Sequence, residues 1–469
     1  MWLIQLHTVL RIIKKYTIIS ASALINRFIP PIRGIILGIG YSWTKKYTVY
    51  DGTPWNVSLF KGHSTMWIAD AETIKVSTFS FYFEVCGSRQ QFPKAVQYYD
   101  VLLAFGPNII SATDSDWKRF RRISATAFSE KNNELVWKCT NNILQKTVIE
   151  LWKDQSATHV LIQNLTHKIS LSVMATAAFS IDIDKISNKS HSINFQDTLH
   201  IVANNMWVKI GLPRWVLENH PRYIAINKAF NDMNIYMTDM ISKKQYNNTE
   251  LSNDLFALLL ARNQDSEIDA QILLTDAELR DIQEELFREI ETVVGSSEFS
   301  YHHISEVPLA MAILYETLRL YPPVNVIPKC SMGDTVVTVT SSNGSCHPIP
   351  IPKGTDVYID IVGLHYNSDY WVQPDTFAPK RLLGNWSRDA FLPYGLGSHA
   401  CLGRRFFEIE ALTTMILIIK NYRVVGSEKH RPSSSNITGI HAKNILTLVP
   451  NSPAKLIPVV FQPRKLELP

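Results

Sequence analysis

Hydrophobic residues in the middle of the chain recur at intervals of three and four positions, the spacing of one face of an α-helix. This spacing predicts helices over residues 115–128, 133–151, 162–179, 223–242 and 255–262. Alternation at every second position is rarer, and it predicts short strands over 336–340 and 356–361. Periodicity therefore predicts a mainly α protein with a minor β-sheet. Residues 43–469 contain no repeat and no long linker, which favours a single large domain.

The N-terminal segment, residues 1–42, has a different pattern. Its apolar stretches 1–10 and 16–26 are divided by Arg11, Lys14 and Lys15, so neither reaches the roughly 20 residues that span a bilayer. The pattern favours association with the membrane interface, followed by a stiff proline hinge at 27–34. An unusual buried N-terminal helix remains the alternative. A cleaved signal peptide is disfavoured, because the small-residue cleavage site is poorly defined.

Composition excludes several classes of protein. The 469 residues include 47 Lys and Arg against 42 Asp and Glu, a formal charge of +5 that does not favour nucleic acid as a partner. Five scattered cysteines, with no Cys-x-x-Cys pair, do not form a disulfide framework or a zinc site of the common kind. This cysteine usage is typical of a protein that faces a reducing compartment.

One of these cysteines, Cys401, lies in a glycine-rich stretch before a predicted helix at 402–419. Gly395, Gly397 and Gly403 allow the backbone to turn tightly around it. Peptide N–H groups at a helix N-terminus stabilise negative charge, so this placement predicts a thiolate. A thiolate on such a loop suits ligation of a haem iron. The alternative is a buried structural cysteine.

This stretch resembles the haem-binding loop of the cytochromes P450, the haem-thiolate monooxygenases. The family pattern has Phe seven residues before the cysteine, Gly four before, a basic residue two before and Gly two after. Tyr394, Gly397, His399 and Gly403 occupy those places. The resemblance implies a haem-thiolate domain that binds haem b (iron protoporphyrin IX), with Cys401 as the metal ligand. Tyr in place of Phe adds a hydroxyl that needs a partner, and His399 in place of Arg can still donate to a haem propionate.

A second part of the resemblance concerns a helix predicted over 308–320, with Pro308 at its start and Tyr321-Pro322-Pro323 at its end. Glu316 and Arg319 lie three residues apart on this helix, and such a pair is ordinarily a solvated surface ion pair. In the family this pair joins a later arginine, here Arg381, in a buried salt-bridge triad. The resemblance therefore implies that these three residues are structural and support the haem loop.

A third part concerns the haem propionates. Trp117 and Arg121 match the family's Trp-x-x-x-Arg helix, in which an indole N–H and a guanidinium hold a propionate. Lys329 occupies a place where many members offer another basic contact. An ordinary amphipathic helix and an exposed lysine are the alternatives.

The resemblance also implies partners and a location. Five basic residues would cluster on the cysteine side of the haem, namely Lys118, Arg119, Arg122, Arg404 and Arg405. An acidic flavoprotein NADPH reductase could dock on this basic proximal face, although a charge run is usually only a solvated face. The resemblance further implies an apolar small-molecule substrate and a place on the cytosolic face of the endoplasmic reticulum membrane.

Besides the two substitutions in the haem loop, the sequence has one serious departure from the family. Family members have a long helix across the distal haem face, with the pattern Ala/Gly-Gly-x-Asp/Glu-Thr/Ser, whose acid and hydroxyl deliver protons during oxygen activation. Residues 274–278 look like its start, with Thr275 and Glu278 spaced as a capping box, but 281–290 already resembles the next, surface helix. Gly333-Asp334-Thr335 lies too late in the chain for this role. The sequence thus predicts a deletion of about one helix at 280–281, and no catalytic residue is identified.

Three functional hypotheses follow. The resemblance implies a monooxygenase that inserts one oxygen atom from dioxygen into an apolar substrate, with electrons from a reductase. The missing helix instead predicts impaired or absent turnover, as in a haem-binding but inactive, or misfolded, product of a shortened reading frame. A haem-thiolate isomerase or peroxide-using enzyme is the third.

Overall fold

A computed structural model gives the fold of most of the chain. It describes residues 55–60, 63–74, 108–125, 128–178, 214–246, 276–324, 326–340, 346–426 and 458–464, with short pieces between 85 and 99 and between 195 and 212. The segment 1–42 and the helix predicted at 255–262 lie outside the described residues. No helix within the described ranges is both long enough and apolar enough to cross a bilayer.

Helices dominate the described chain, as predicted. They are α1 (Ala71–Ile74), α2 (Asp114–Ala125), α3 (Glu130–Leu144), α4 (Ile162–Val173), α5 (Arg214–Asn219), α6 (Pro221–Tyr246), α7 (Asp276–Val293), α8 (His303–Glu306), α9 (Pro308–Leu320), α10 (Ile361–His365) and α11 (Arg404–Asn421). Helix α3 continues through a π-helical turn at Gln145–Ile149 into Glu150–Trp152, and α4 through a similar turn at Met174–Ala178. The helices predicted from hydrophobic spacing within these ranges are confirmed, with ends that differ by a few residues.

The strands form small sheets at the edges of the helical body. They are β1 (Trp55–Phe60), β2 (His63–Ile68), β3 (Thr158–Leu161), β4 (Val326–Cys330), β5 (Thr335–Thr340), β6 (Cys346–Ile351), β7 (Asp356–Asp360), β8 (Tyr422–Gly426) and β9 (Pro458–Pro463). One sheet has the order β1-β2-β7-β4, in which only β2 and β7 are parallel, and another has the order β3-β9-β8. Strands β5 and β6 form a separate hairpin. The two strands predicted from alternation correspond to β5 and β7.

Helix α11 lies in the core and positions the loop that precedes it. It packs against α3, α7 and α9, and the side chains of Ile409, Leu412 and Ile416 are completely buried. Full burial of an aliphatic side chain of this size stabilises the fold by about 1.5–3 kcal/mol. The N-terminus of α11, next to Cys401, is therefore anchored by a deeply buried helix.

Helix α9 begins and ends where the sequence predicts. Pro308 occupies its first turn, and the backbone N–H of Leu309 donates to the carboxylate of Glu289 on α7 at 3.1 Å. The helix ends at Tyr321, whose N–H bonds the carbonyl of Thr317 at 2.8 Å. Contacts at both ends thus fix the helix that carries Glu316 and Arg319.

Candidate functional site

The loop before Cys401 has the tight path that its glycines predict. Gly395 and Gly397 have φ angles of 70° and 65°, in the left-handed region that favours glycine. The backbone N–H of Cys401 donates to the carbonyl of Tyr394 at 2.8 Å and closes the loop, and Gly397–His399 forms a 3₁₀ turn within it. Cys401 consequently lies at the end of a rigid loop, three residues before α11.

Gly403 keeps the space beside the cysteine sulfur open. A Cβ atom at this position would lie 3.9 Å from Sγ of Cys401 and 3.7 Å from Cε1 of Phe128. These are ordinary contact distances, so no protein group excludes a side chain at Gly403. Because glycine has no side chain, it leaves free volume next to Sγ of Cys401. A planar ligand bound to that sulfur would need this volume.

The protonation of Cys401 differs from the sequence prediction. Burial raises the pKa of the Cys401 thiol, while the N–H groups of Gly403 and Arg404 and the charges of Arg121 and Arg404 lower it. Burial is the largest effect and outweighs the N–H groups at the helix N-terminus, which lower the pKa as the sequence predicts. Metal binding deprotonates a thiol ligand. A metal ion bound to this sulfur would therefore hold it as a thiolate, and the neighbouring N–H groups would moderate its charge.

Helix α2 brings two of the predicted residues to the loop. The ring of Trp117 lies 4.1 Å, centroid to centroid, from the ring of His399. Nη1 of Arg121 donates to the carbonyl of Ala400 at 2.5 Å, one residue before the cysteine. Trp117, Arg121, His399 and Cys401 thus meet at one place, although α2 and the loop are far apart in the sequence.

Two lysines extend this cluster of cations. Lys329 on β4 is only 4% exposed, and its backbone pairs with that of Lys94 in an antiparallel bridge. Nζ of Lys94 donates to the carbonyls of Ile109, Ile110 and Ala112 at 3.0–3.1 Å. Burial, and then the charges of Lys329 and Arg121, lower the pKa of Lys94 to about 8. Neighbouring positive charges repel one another, and an anionic ligand would relieve that repulsion. Such a cluster therefore favours an anionic ligand.

Lys94 is a residue that sequence analysis missed. A single lysine in an irregular segment has no periodicity, and only its pairing with Lys329 reveals its place in the cluster. The alternative that Lys329 is an exposed lysine is excluded by its burial.

The triad is assembled as the resemblance implies. Nε and Nη2 of Arg319 donate to the two carboxylate oxygens of Glu316 at 2.8 and 2.9 Å, and both side chains are fully buried. Nε of Arg381 lies 3.3 Å from Oε1 of Glu316. Arg319 also donates to the carbonyls of His365, Pro374 and Thr376. The alternative, a solvated surface pair, is excluded.

Tyr394 lies beneath the loop with an unsatisfied hydroxyl. Its oxygen is buried and has no hydrogen-bond partner among the described residues, and burial raises the pKa of the phenol. The guanidinium of Arg404 lies 5.1 Å from the Tyr394 ring and donates to Glu408 on α11 at 2.8 Å and to the hydroxyl of Tyr315 on α9 at 2.8 Å. The first turn of α11 is thus fastened to α9.

The predicted basic face is only partly free to meet a partner. Lys118, Arg119 and Arg122 are exposed on α2, and Arg119 forms an exposed pair with Asp116 at 3.4 Å. Arg404 and Arg405 both contact Glu408, at 2.8 and 3.6 Å. Internal acids therefore neutralise part of the charge of the two arginines on α11.

Residues 276–278 lie in a helix that also contains the predicted deletion junction. Residues from Asp276 onward belong to α7, which runs without a break through Arg280 and Asp281 to Val293. They form one continuous helix with the residues that resemble the family's next, surface helix, and the interpretation of 274–278 as the start of the distal helix stays a prediction. The proposed capping box of Thr275 and Glu278 involves a residue and a side chain outside the described part of the chain.

Helix α7 is held firmly after the junction. The side-chain amide of Gln283 forms hydrogen bonds with both the N–H and the carbonyl of Val424 on β8, at 2.6 and 3.1 Å. Glu284 forms a two-pronged ion pair with Arg464 at 2.8 and 3.1 Å. These contacts hold α7 after the junction against the C-terminal segments of the chain.

The sequence Gly333-Asp334-Thr335 has an ordinary role in a turn. Oδ1 of Asp334 accepts a hydrogen bond from the N–H of Lys353 at 2.8 Å, and the carbonyl of Gly333 accepts one from Ser331. It precedes the β5–β6 hairpin, as expected for a segment without a role in oxygen activation.

Comparisons with known proteins agree on one family. The profile of the family described as Cytochrome P450 matches residues 59–281 and 271–451. Cytochrome P450 monooxygenase 124 of Postia placenta is 35% identical, over 87% of this chain and 85% of that protein. Cytochrome P450 monooxygenase prx9 of Penicillium rubens is 23% identical, over 74% of this chain and 72% of that protein.

A solved structure supports the fold. The crystal structure of the cytochrome P450DA heme domain superposes with a TM-score of 0.63 over 85% of this chain and 89% of that chain. Its sequence identity is 16%, so this likeness concerns the fold alone.

Proposed function

This chain belongs to the cytochrome P450 family, the haem-thiolate monooxygenases, and on that premise we propose that Cys401 is the thiolate ligand of its haem iron. The observation that carries the proposal is the closed loop of Tyr394–Cys401 at the N-terminus of α11, against which α2 places Trp117 and Arg121. Members of this family take electrons from a redox partner and act on small molecules.

The residues of the site fit haem b. Gly403 leaves free volume beside the sulfur, and the backbone N–H groups of Gly403 and Arg404 face the sulfur and temper its charge. Arg121 and Lys329 suit the two propionates of this cofactor, while Lys94, whose Nζ already donates to three backbone carbonyls, adds positive charge beside them. When bound, haem activates dioxygen for insertion of one oxygen atom into an apolar substrate.

Each remaining residue has a supporting role in this proposal. Trp117, Arg121, His399 and Lys329 bind the propionates and so orient the ring. Tyr394, Gly397 and Gly403 shape the loop around the sulfur. Glu316, Arg319 and Arg381 hold the segments that flank the loop, through the carbonyls at 365, 374 and 376 and through the N–H of Ala378, which donates to Glu316 at 2.9 Å.

Haem retention tests the propionate assignment. We expect Trp117→Ala combined with Arg121→Ala to weaken haem binding by about tenfold or more, because a charge-assisted contact and a ring contact are both lost. His399→Ala should weaken it only modestly, since one of several donors is removed. The haem content of each variant after gel filtration gives the comparison.

Arg122→Ala is the matched control, because Arg122 is an exposed arginine on the same helix. It should retain haem as the wild type does. Equal haem loading in all of these proteins would contradict the assignment.

We further propose that one long helix of the family is missing at 280–281, on the distal side of the haem. Three observations support this proposal. The family profile matches in two pieces that meet at 271–281, and α7 runs unbroken through this junction. The alignment with the Postia relative extends over 454 positions although it takes in 87% of this 469-residue chain, so some residues of that relative have no counterpart here.

The deletion supports a second candidate, a chain that binds haem but turns over poorly or not at all. The full sequence contains no Ala/Gly-Gly-x-Asp/Glu-Thr/Ser, so no acid and hydroxyl pair of that kind supplies protons on the distal side. Sequencing the transcript across the codons of Arg280 and Asp281 tests the deletion directly. A messenger RNA that encodes a further helix between Arg280 and Asp281 would contradict the deletion.

Turnover tests the consequence of the deletion. With NADPH and a flavoprotein reductase, we expect the haem-loaded 469-residue chain to form no oxygenated product from a panel of apolar substrates, because the proton donors of the distal helix are missing. Product is quantified by mass spectrometry. Sustained product formation would contradict impaired turnover and leave the monooxygenase function intact for this chain.

We propose that the flavoprotein reductase docks on the basic face of α2. Lys118→Glu and Arg122→Glu should raise the KM for the reductase, measured as reduction of the haem rather than as product formation, and weaken its dependence on ionic strength, because exposed charges steer association. Arg119→Glu is the control, since Arg119 is already paired with Asp116 and should change the KM less. An unchanged KM in all three variants would place the reductase elsewhere.

We also propose that residues 1–42 hold the protein at the membrane interface, on the cytosolic face of the endoplasmic reticulum. The two apolar stretches and the basic residues between them support this assignment. The full chain should float with phospholipid vesicles, and a chain lacking 1–42 should float less. Equal flotation would contradict the assignment.

A further inference from the structure

We propose that His365 is a positioning residue that couples the buried Glu316–Arg319 pair to the start of the haem loop. The proposal rests on the assignment of Cys401 as the iron ligand. His365 ends α10 and has no exposed surface. Its Nε2 accepts a hydrogen bond from the backbone N–H of Leu392 at 2.9 Å, and its Nδ1 lies 3.0 Å from the carbonyl oxygen of Arg319.

The hydrogen bonds assign a single tautomer to this imidazole. Because the N–H of Leu392 donates to Nε2, that nitrogen carries the lone pair, and the proton lies on Nδ1 and is donated to Arg319. Burial and then the charge of Arg319 lower the pKa of His365 to about 3. The side chain therefore stays neutral at ordinary pH and acts as a fixed bridge.

Two further contacts hold His365 in place, one on its backbone and one on its ring. Nη1 of Arg319 donates back to the carbonyl of His365 at 2.8 Å, so the ends of α9 and α10 hold each other. The imidazole also stacks on the ring of Phe391, the residue before Leu392, with centroids 5.4 Å apart. Two contacts thus fix the imidazole relative to the chain that enters the loop.

A short path leads from this bridge to the cysteine. Leu392 lies two residues before Tyr394, and the carbonyl of Tyr394 accepts the N–H of Cys401 at 2.8 Å. Displacing the N–H of Leu392 would therefore displace the acceptor that fixes Cys401. His365 itself is too deeply buried to touch a substrate, which excludes a role as a catalytic acid or base.

Two conservative variants separate positioning from packing. The amide of Gln reaches the place of Nε2, so His365→Gln can still accept from Leu392. The amide of Asn reaches only the place of Nδ1, so His365→Asn can donate to Arg319 but leaves the N–H of Leu392 without an acceptor. An unsatisfied buried N–H shifts a local opening equilibrium by about tenfold or more.

The first readout needs no haem. In the haem-free chain, hydrogen exchange at the amide of Leu392 should be about tenfold faster or more in His365→Asn and close to wild type in His365→Gln. The amide of Ile416, in the buried helix α11, is the reference for global unfolding. Its exchange rate should change only as far as the free energy of unfolding of each variant changes.

The second readout is the absorption band of the reduced carbon monoxide complex that reports thiolate ligation. His365→Asn should lose part of this band, and His365→Gln should keep it. If both variants match the wild type in both readouts, or both lose protection equally, the coupling is overturned. A wild-type chain that binds haem without the thiolate band would overturn the assignment of Cys401 instead, and the exchange comparison would still decide the role of His365.

Discussion

Arg319→Ala is expected to lower the free energy of unfolding by about 3–5 kcal/mol and to abolish stable haem binding, because it leaves a buried carboxylate without its partner. Glu316 would lose two hydrogen bonds, at 2.8 and 2.9 Å, in a place that water does not reach. Three backbone carbonyls, those of His365, Pro374 and Thr376, would lose a donor as well.

Two further variants serve as controls for this prediction. Arg381→Ala should cost less, since Arg381 is partly exposed, with 16% of its side-chain surface accessible, and lies 3.3 Å from Glu316. Arg119→Ala should cost less than about 1 kcal/mol, because its pair with Asp116 is exposed at the surface.

Urea denaturation, followed by tryptophan fluorescence, gives the order of stability. Arg319→Ala should unfold at the lowest urea concentration, followed by Arg381→Ala and then by Arg119→Ala. If Arg319→Ala unfolds at the same concentration as Arg119→Ala, the triad does not support the loop.

The general fold could be predicted from the sequence because long helices leave a strong periodic pattern. Helices α2, α3, α4 and α6 each bury one face, so apolar residues mark that face along several turns. Helix α9 is buried on nearly all sides and is marked instead by Pro308 at its start. The hairpin β5–β6 and the strand β7 are short but are bounded by clear turn residues. These signals depend only on neighbouring residues.

The site was less predictable, because its properties depend on residues distant in sequence. The spacing of Glu316 and Arg319 is that of a surface pair, and only the packing of the segment around 374–378 buries it. Lys94 joins the cation cluster through a backbone bridge to Lys329, which no local sequence pattern predicts. The resemblance located the triad, but Lys94 and His365 emerged only from the fold.

Two further features could not be settled from the local sequence. A helix N-terminus favours a thiolate, but the predicted pKa direction for Cys401 ignored burial, which has the larger effect on this thiol. Residues 274–278 look like a helix start, and the sequence alone cannot tell which helix they begin. In the structure, residues from Asp276 onward are continuous with α7, and the contacts of Gln283 and Glu284 with the C-terminal segments hold the later part of that helix.

Among single substitutions in the proposed site, Cys401→Ala is expected to have the largest effect on haem ligation. The sulfur of Cys401 is the iron ligand assigned to this chain, and no other residue of the loop from Tyr394 to Gly403 is a cysteine that could replace it. Cys330→Ala is the matched control, because Cys330 is another free, partly exposed cysteine, on β4.

The optical spectrum of the reduced carbon monoxide complex tests this assignment most directly. We predict that Cys330→Ala keeps the band of thiolate-ligated haem and that Cys401→Ala loses it entirely, along with most of the bound haem. A Cys401→Ala protein that holds as much haem as its parent and gives the same spectrum would contradict the account.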